Sequence, residues 1–155
     1  MLATIKLIND LDAKKLLCFG VGIAHLFYDQ LRAQYLKIGV EPWDGQRYPK
    51  QWTHRIVRED ILETAPEEGK YDVIVLNGSK HYEDMVEMWE AAQKRLAARG
   101  VVIITHTMPK TPYEVTTEPT KTQHWCGQAN ELVMEIISKG GWAVSTVDDN
   151  YGVTS

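Results

Sequence analysis

The chain has 155 residues, of which 44% are hydrophobic and 25% charged, and its formal net charge is -4. These values predict one globular domain with a sizeable core, and the absence of a basic stripe argues against general binding to nucleic acid or anionic membranes. The longest apolar runs, such as Val101 to Ile104, are too short to span a bilayer. The N-terminus has no secretory-signal pattern, so we expect a cytoplasmic protein.

The first half of the chain alternates short apolar runs with residues at helical spacing. We predict strands at 16–19, 38–41 and 54–58, with a helix between the first two in which Ile23, Leu26, Phe27 and Leu31 face the sheet. The two cysteines, Cys18 and Cys126, are far apart in the sequence and do not indicate a disulfide framework. They are predicted to be free thiols in a reducing compartment.

The second half begins with the near-continuous apolar run Tyr71–Leu76, which is typical of a central parallel strand. A helix is predicted over 83–98, stopped by Gly100, and a strand over 101–104. Residues 108–123 are rich in proline and threonine and are predicted to form a lid or an acceptor-binding loop. A helix over 125–139, ended by Gly140 and Gly141, and strands at 142–147 and 151–155 complete the pattern.

This order predicts one α/β domain over residues 1–155, with a Rossmann-like, doubly wound and mostly parallel sheet flanked by helices. The last strand is short, which predicts an exposed sheet edge. Because such edges pair with other chains, we expect a homo-oligomer.

A tight glycine turn follows the first predicted strand. Gly20 and Gly22 permit close approach of a ligand to the backbone, and Glu41 lies about 20 residues further on, where an acid can bind a ribose. Asp60 follows the third strand and is suited to accept a hydrogen bond from an adenine amine. The alternative interpretation is that Glu41 and Asp60 are surface carboxylates near helix N-termini.

Four further motifs occur in order: Asn77-Gly-Ser-Lys-His-Tyr-Glu83, Gly100-Val-Val-Ile-Ile-Thr-His106, Trp125-Cys-Gly-Gln128 and Asp148-Asp-Asn-Tyr-Gly-Val153. With the glycine turn, this series resembles a small-domain branch of the class I S-adenosylmethionine-dependent methyltransferases, from about Leu16 onward. The resemblance implies S-adenosylmethionine as cofactor. The positions expected to bind it are Gly20, Gly22, Glu41, Pro42, Asp60, Ile61, Asn77 and Gly78.

The chain departs from that branch at acidic positions. Cys18 replaces the usual acid of the first strand, Asn77 the acid after the fourth, Thr105-His106 a His-Asp pair, and Gln128 the acid of a Gly-Asp pair. Divalent cations prefer charged oxygen ligands, so these replacements predict that no metal is bound.

The remaining candidates for chemistry are His81, His106 and Asn77. Either histidine is suited to act as a base, and Asn77 to position the methionine ammonium or an acceptor, although lone histidines are more often structural. Four aromatic residues are predicted to cover the adenine or to line an acceptor pocket. The alternative interpretation is that they cap the core edge or form a subunit contact. They are Trp43, Tyr48, Trp52 and Trp125.

Three hypotheses follow from the resemblance. The first is a methyltransferase acting on a small-molecule or sugar-like acceptor. The second is a degenerate relative that binds the cofactor or a protein partner without methyl transfer, and the third is a protein that breaks the cofactor down. A nicotinamide-dependent oxidoreductase is the weakest interpretation, because the chain leaves no room for a substrate domain and lacks the third glycine.

Overall fold

A computed structural model describes residues 2–19, 35–39, 56–59, 69–77, 80–116, 125–147 and 153–154. For residues 2–3, 35–39, 56–59 and 153–154, only the backbone is described. No helix in these parts of the chain combines the length and the apolar character needed to cross a membrane. Oligomeric state and cellular location stay predictions.

The described strands form one sheet. They are β1 (Lys15–Phe19), β2 (Tyr35–Gly39), β3 (Ile56–Glu59), β4 (Tyr71–Leu76), β5 (Leu96–Thr105), β6 (Thr146–Val147) and β7 (Val153–Thr154). Their order is β3-β2-β1-β4-β5-β7-β6, and the first five are parallel while β7 is antiparallel to β5 and β6. The predicted Rossmann-like, mostly parallel sheet is confirmed.

The described helices are α1 (Leu2–Asp10), α2 (Tyr82–Arg95) and α3 (Ala129–Lys139), with a 3-10 helix at Pro112–Val115. Helix α2 buries a stripe that includes Met85, Met88 and Ala92, and α3 buries Leu132 and Ile136. These residues recur three to four positions apart, so each helix turns one apolar face to the sheet.

The core is centred on β1 and β4. All residues of β4 except Asp72 are buried, and Leu17 and Ile74 are completely inaccessible. The Asp72 carboxylate accepts hydrogen bonds from the backbone N–H groups of Lys14 and Lys15, both at 2.9 Å. This carboxylate therefore fixes the entry of β1 beside β4.

The parallel strands end in register. Phe19 pairs with both Gly39 and Leu76, Gly39 pairs with Glu59, and Leu76 pairs with Ile104. Because all five strands run in the same direction, the chain leaves them along a single edge of the sheet. This edge includes the point between β1 and β4 where the strand order reverses, which is where open α/β sheets bind ligands.

The prediction that the 83–98 helix ends near Gly100 is wrong. Helix α2 ends at Arg95, and Leu96 is already extended and paired with Tyr71 of β4. The Arg95 carbonyl accepts a hydrogen bond from the Lys70 N–H at 3.0 Å. Long-range pairing with β4 therefore overrides the helical pattern of residues 96–98, and Gly100 lies inside β5.

Other boundaries differ for similar reasons. Strand β2 begins at Tyr35 rather than 38 because its pairing with β1 starts at Lys15. Strand β3 continues to Glu59, one residue past the predicted end at 58, and residues 54 and 55 lie outside the described residues. Helix α3 begins at Ala129 rather than 125, and the strand predicted over 142–147 is limited to Thr146–Val147. The end of α3 at Gly140, which has a φ of 69°, agrees with the prediction.

Candidate functional site

Asn77 follows β4 at the carboxyl edge of the sheet. Its backbone N–H donates to the carbonyl of Phe19, the last residue of β1, at 3.0 Å. This hydrogen bond continues the β1–β4 pairing by one residue and places Asn77 at the reversal of strand order. The side chain is therefore presented where the fold predicts a ligand.

Three polar side chains meet at this place. The Thr105 hydroxyl donates to Asn77 Oδ1 at 2.7 Å and lies 3.0 Å from His106 Nδ1. A hydroxyl has only one hydrogen, so when it is given to Asn77 the oxygen accepts from Nδ1–H of His106. With this direction of the hydroxyl, a neutral His106 carries its proton on Nδ1 and has Nε2 as its basic nitrogen.

The backbone of His106 adopts a left-handed conformation, with φ of 62°. Residues with a Cβ adopt this conformation at a cost of about 1 kcal/mol. The turn directs the chain away from β5 at the residue that carries the imidazole. Such local strain is characteristic of residues at functional sites.

A second cluster joins the start of α2 to the segment before α3. Gln128 N–H donates to the Lys80 carbonyl at 2.8 Å, and Gln128 Oε1 accepts from the Tyr82 N–H at 3.1 Å. Gln128 thus caps the N-terminus of α2, where backbone N–H groups lack helical partners. At Gly127, where φ is 59°, an added Cβ would lie 2.3 Å from the Lys80 carbonyl oxygen, so only glycine fits.

The side chains of this cluster surround Trp125. Lys80 Nζ donates to the Trp125 carbonyl at 2.6 Å and lies 5.8 Å from the centroid of its ring. The rings of His81 and Trp125 meet edge to face, with centroids 5.2 Å apart. Burial lowers the pKa of Lys80 below its usual value, and the nearby Cys126 offsets part of this shift.

The described part of the predicted lid, residues 108–116, is attached to the same cluster. The Glu114 carbonyl accepts from the N–H groups of Cys126 and Gly127 at 2.9 and 3.0 Å, and its buried carboxylate accepts from the Lys110 N–H at 2.6 Å. Trp125 Nε1 donates to the Thr116 carbonyl at 2.6 Å. Gly127 has a φ of 59°, which lies outside the right-handed helical region, so α3 does not begin at 125.

The thiol of Cys126 is buried beside this framework. Burial raises its pKa, the Glu114 carboxylate raises it further, and the Lys80 ammonium lowers it in part. Burial also raises the pKa of Cys18 to about 12. Both cysteines are free, as predicted, and both thiols are protonated at neutral pH.

The structure thus brings Asn77 and His106 together through Thr105 and places His81 in the Trp125 cluster. The other cofactor-binding predictions (Gly20, Gly22, Glu41, Pro42, Asp60, Ile61 and Gly78) lie outside the described residues. So do the aromatic residues Trp43, Tyr48 and Trp52.

Sequence reasoning did not assign roles to Thr105, Lys80 or Glu114. The one sequence feature that could have indicated a role for Thr105 is its place as a polar residue directly after the apolar run 101–104, at the end of a strand. Glu114 gave none, since a glutamate among prolines and threonines is usually exposed. Within the described ranges, no three His, Cys, Asp or Glu side chains form a group that would hold a metal.

Comparison with solved structures shows that the fold of this chain is similar to that of several methyltransferases. A Staphylococcus aureus protein assigned as a caffeoyl-CoA O-methyltransferase aligns with 98% of this chain and 79% of its own, at 14% identity and a TM-score of 0.69. SAH-bound Podospora anserina PaMTH1 aligns with 98% of this chain and 74% of its own, at 17% identity and a TM-score of 0.60. The methyltransferase domain of bacterial CtHen1-CN aligns with 99% of this chain and 95% of its own, at 14% identity and a TM-score of 0.59.

No protein-family model matches the sequence, and no curated protein matches it either. Identities of 14 to 17% carry information about the fold alone. The resemblance read from the ordered motifs is confirmed at that level: the chain has the fold of the class I S-adenosylmethionine-dependent methyltransferases.

Proposed function

We propose that this chain is an S-adenosylmethionine-dependent methyltransferase that acts on a small-molecule or sugar-like acceptor without a metal. The observation that carries the proposal is the Asn77–Thr105–His106 network at the reversal of strand order, in a fold shared with methyltransferases. Among the proteins with this fold, PaMTH1 binds SAH, the product that S-adenosylmethionine becomes after losing its methyl group.

The aligned strand ends support the cofactor assignment. Gly20 directly follows Phe19, Glu41 follows Gly39 by two residues, and Asp60 directly follows Glu59. Since Phe19, Gly39 and Glu59 are paired in register, the chain segments that carry the predicted cofactor-binding residues emerge at one edge, next to Asn77. Glycine, ribose-binding acid and adenine-binding acid are the residue types that a nucleoside with a charged tail requires.

The cofactor would supply an electrophilic methyl group, which an acceptor oxygen takes in an in-line displacement. The role of the chain is then to position both molecules and to receive the proton of the acceptor hydroxyl. His106 Nε2 is the proposed base, because Thr105 holds the other ring nitrogen as N–H. After proton transfer, the imidazolium keeps its Nδ1–H bond to Thr105, so the ring does not need to move.

The proposal that no metal takes part is supported by the partners of the replaced residues. Asn77 Oδ1 accepts from Thr105, and Gln128 Oε1 accepts from the N–H of Tyr82. These oxygens are neutral and serve internal hydrogen bonds, whereas a divalent cation selects charged carboxylates.

The same observation favours a second candidate, a protein that binds the cofactor without transferring a methyl group. Gln128 caps the N-terminus of α2, which is a structural role. The Thr105 hydroxyl already forms hydrogen bonds with the side chains of Asn77 and His106. In this candidate, the edge of the sheet keeps its affinity for the cofactor while the acceptor chemistry is lost.

Calorimetric titration with S-adenosylmethionine and S-adenosylhomocysteine tests the proposal. We expect micromolar binding in the wild type, a loss of at least about tenfold in Glu41→Ala, and unchanged binding in the exposed control Glu87→Ala. No binding of either compound would overturn both candidates.

Mass spectrometry then separates the candidates. The protein is incubated with methyl-labelled cofactor and a panel of catechol and sugar acceptors, and the product is compared with that of His106→Asn, since asparagine also tolerates the left-handed backbone. Labelled acceptor from the wild type alone supports methyl transfer. Unchanged cofactor indicates binding only, and cleaved cofactor without labelled acceptor indicates breakdown.

A further inference from the structure

Lys80 is a half-buried cation at the carboxyl edge of the sheet. Its Nζ donates a hydrogen bond to the Trp125 carbonyl at 2.6 Å and lies 5.8 Å from the centroid of that ring. An ammonium group has three N–H donors. Among the described residues, the other two donors have no acceptor, and no carboxylate forms an ion pair with Nζ. Lys80 therefore brings a positive charge to this edge without a described protein anion to balance it.

The carboxylates that are bonded into this cluster have other partners. That of Glu114 accepts from the Lys110 N–H at 2.6 Å, and that of Glu131 accepts from Gln128 Nε2 at 3.4 Å. Burial lowers the pKa of Lys80, and the attraction that opposes this shift comes from Cys126 and from neither glutamate. The Cys126 thiol is itself protonated at neutral pH, because its pKa is raised. A partly buried charge without a counter-charge is costly, so a ligand anion at Nζ would offset that cost.

The surroundings of Lys80 are ordered by hydrogen bonds. The Lys80 carbonyl accepts from the Gln128 N–H at 2.8 Å, and Trp125 Nε1 donates to the Thr116 carbonyl at 2.6 Å. The ring of His81 meets that of Trp125 edge to face. A long side chain that is already held in place loses less conformational entropy when it binds a ligand. The ammonium is therefore preorganised to receive an anion.

Lys80 also lies close to the proposed acceptor chemistry. It follows Asn77 by three residues, so their Cα atoms are no more than about 11 Å apart. Trp125, which accepts from Lys80, is bonded to Thr116 in the loop that begins at His106. An acceptor hydroxyl at His106 and an anionic group of the same small molecule at Lys80 are therefore compatible with the geometry of the chain.

We propose that Lys80 binds a carboxylate of the acceptor, so that the acceptor is a small hydroxy acid rather than a neutral alcohol. This inference rests on the proposed function, because it names the acceptor class of the same site. One ammonium balances a single negative charge, and its remaining N–H groups are donors for carboxylate oxygens. A phosphate carries close to two charges, which one lysine would balance only in part. Lys80 then determines specificity, while His106 remains the proposed base.

The test compares two acids with neutral molecules of similar shape. The pairs are protocatechuate with the corresponding benzyl alcohol, and glucuronate with glucose. Calorimetry is performed with and without saturating S-adenosylhomocysteine. We expect the acid of at least one pair to bind at least about tenfold more tightly than its neutral partner. In Lys80→Met this preference should disappear, and the neutral molecule should bind as it does to the wild type.

Two further variants separate charge from structure. Lys94→Met makes the same replacement at an exposed lysine in the last turn of α2 and should leave the preference unchanged. Lys80→Arg keeps the charge and should retain part of the preference. In methyl-transfer assays, Lys80→Met should raise KM for the acid at least about tenfold and change kcat little. A structural role for Lys80 would instead lower the turnover of acid and neutral acceptor alike.

The wild-type comparison does not require a variant that folds. No binding of either acid, equal affinity within both pairs, or a preference that survives Lys80→Met would overturn the inference. Weaker S-adenosylhomocysteine binding in Lys80→Met, by the same factor as for the acid, would assign Lys80 to the cofactor carboxylate and overturn it too. Failure of the proposed function is distinct. Acid binding that depends on Lys80 but yields no labelled product would contradict methyl transfer and support the carboxylate site.

Discussion

The centre of the sheet and the polar edge are maintained by different forces. Around Ile74, β4 is covered on both faces by apolar side chains. The hydrophobic stabilisation from this burial is large and non-directional. At the edge, Asn77, Thr105 and Gln128 are each positioned by a few hydrogen bonds, which are worth about 1 kcal/mol apiece. The centre therefore dominates stability, while the edge determines geometry. Substitutions in the two regions should separate these contributions.

The largest effect is expected at the centre. Ile74→Ala removes a completely buried side chain and should lower the free energy of unfolding by about 3 kcal/mol. The control Ile137→Ala, at a side chain that is 50% exposed on α3, should change it by less than about 0.5 kcal/mol. Urea denaturation measures both. Cofactor affinity of the folded Ile74→Ala protein should equal that of the wild type, and a large loss would show that the two regions are not separable.

The second effect concerns the glycine that joins the two loops of the edge. Gly127→Ala places a Cβ 2.3 Å from the Lys80 carbonyl oxygen, and the backbone must shift to relieve it. We expect a loss of at least about 2 kcal/mol. Gly69→Ala is the matched control, since φ is 62° but nothing lies within 4 Å of the added atom. Equal thermal stability of the two variants would contradict the role of the contact.

Removing the central hydroxyl of the edge should affect activity more than stability. Thr105→Val is expected to lower the free energy of unfolding by only about 1 kcal/mol. Methyl transfer should fall by at least roughly tenfold, because His106 loses the partner that fixes its tautomer. Thr105→Ser restores the hydroxyl and should recover most of the rate. A Thr105→Val protein with wild-type kcat would exclude the network from catalysis.

The smallest signal is the labelling of the two buried thiols. The pKa of Cys18 is raised to about 12 and that of Cys126 is raised as well, so both should react slowly with iodoacetamide at neutral pH. Cys18 lies in the centre and should react only after global unfolding. Cys126 lies in the hydrogen-bonded edge and should react first, by local opening. Mass spectrometry of labelled peptides follows both rates, and identical rates would show that the two regions open together.

The local hydrophobic pattern was sufficient to predict the strands whose residues are almost all apolar. The bounds of β4 were predicted as they are observed, and β1 differs by one residue, because an unbroken apolar run has few alternatives to a covered strand. The ordered motifs predicted the fold as well, and Gly140 marked the end of α3.

Tertiary contacts decided the rest. Residues 96–98 have helical spacing, but Leu96 pairs with Tyr71 of β4 and the segment belongs to β5. Residues 125–128 are held by Glu114 and Lys80, which are distant in the chain. The sequence placed Asn77 and His106 after successive central strands. Only the folded sheet joined them through Thr105, because a hydrogen bond requires a distance and a direction that spacing along the chain does not specify.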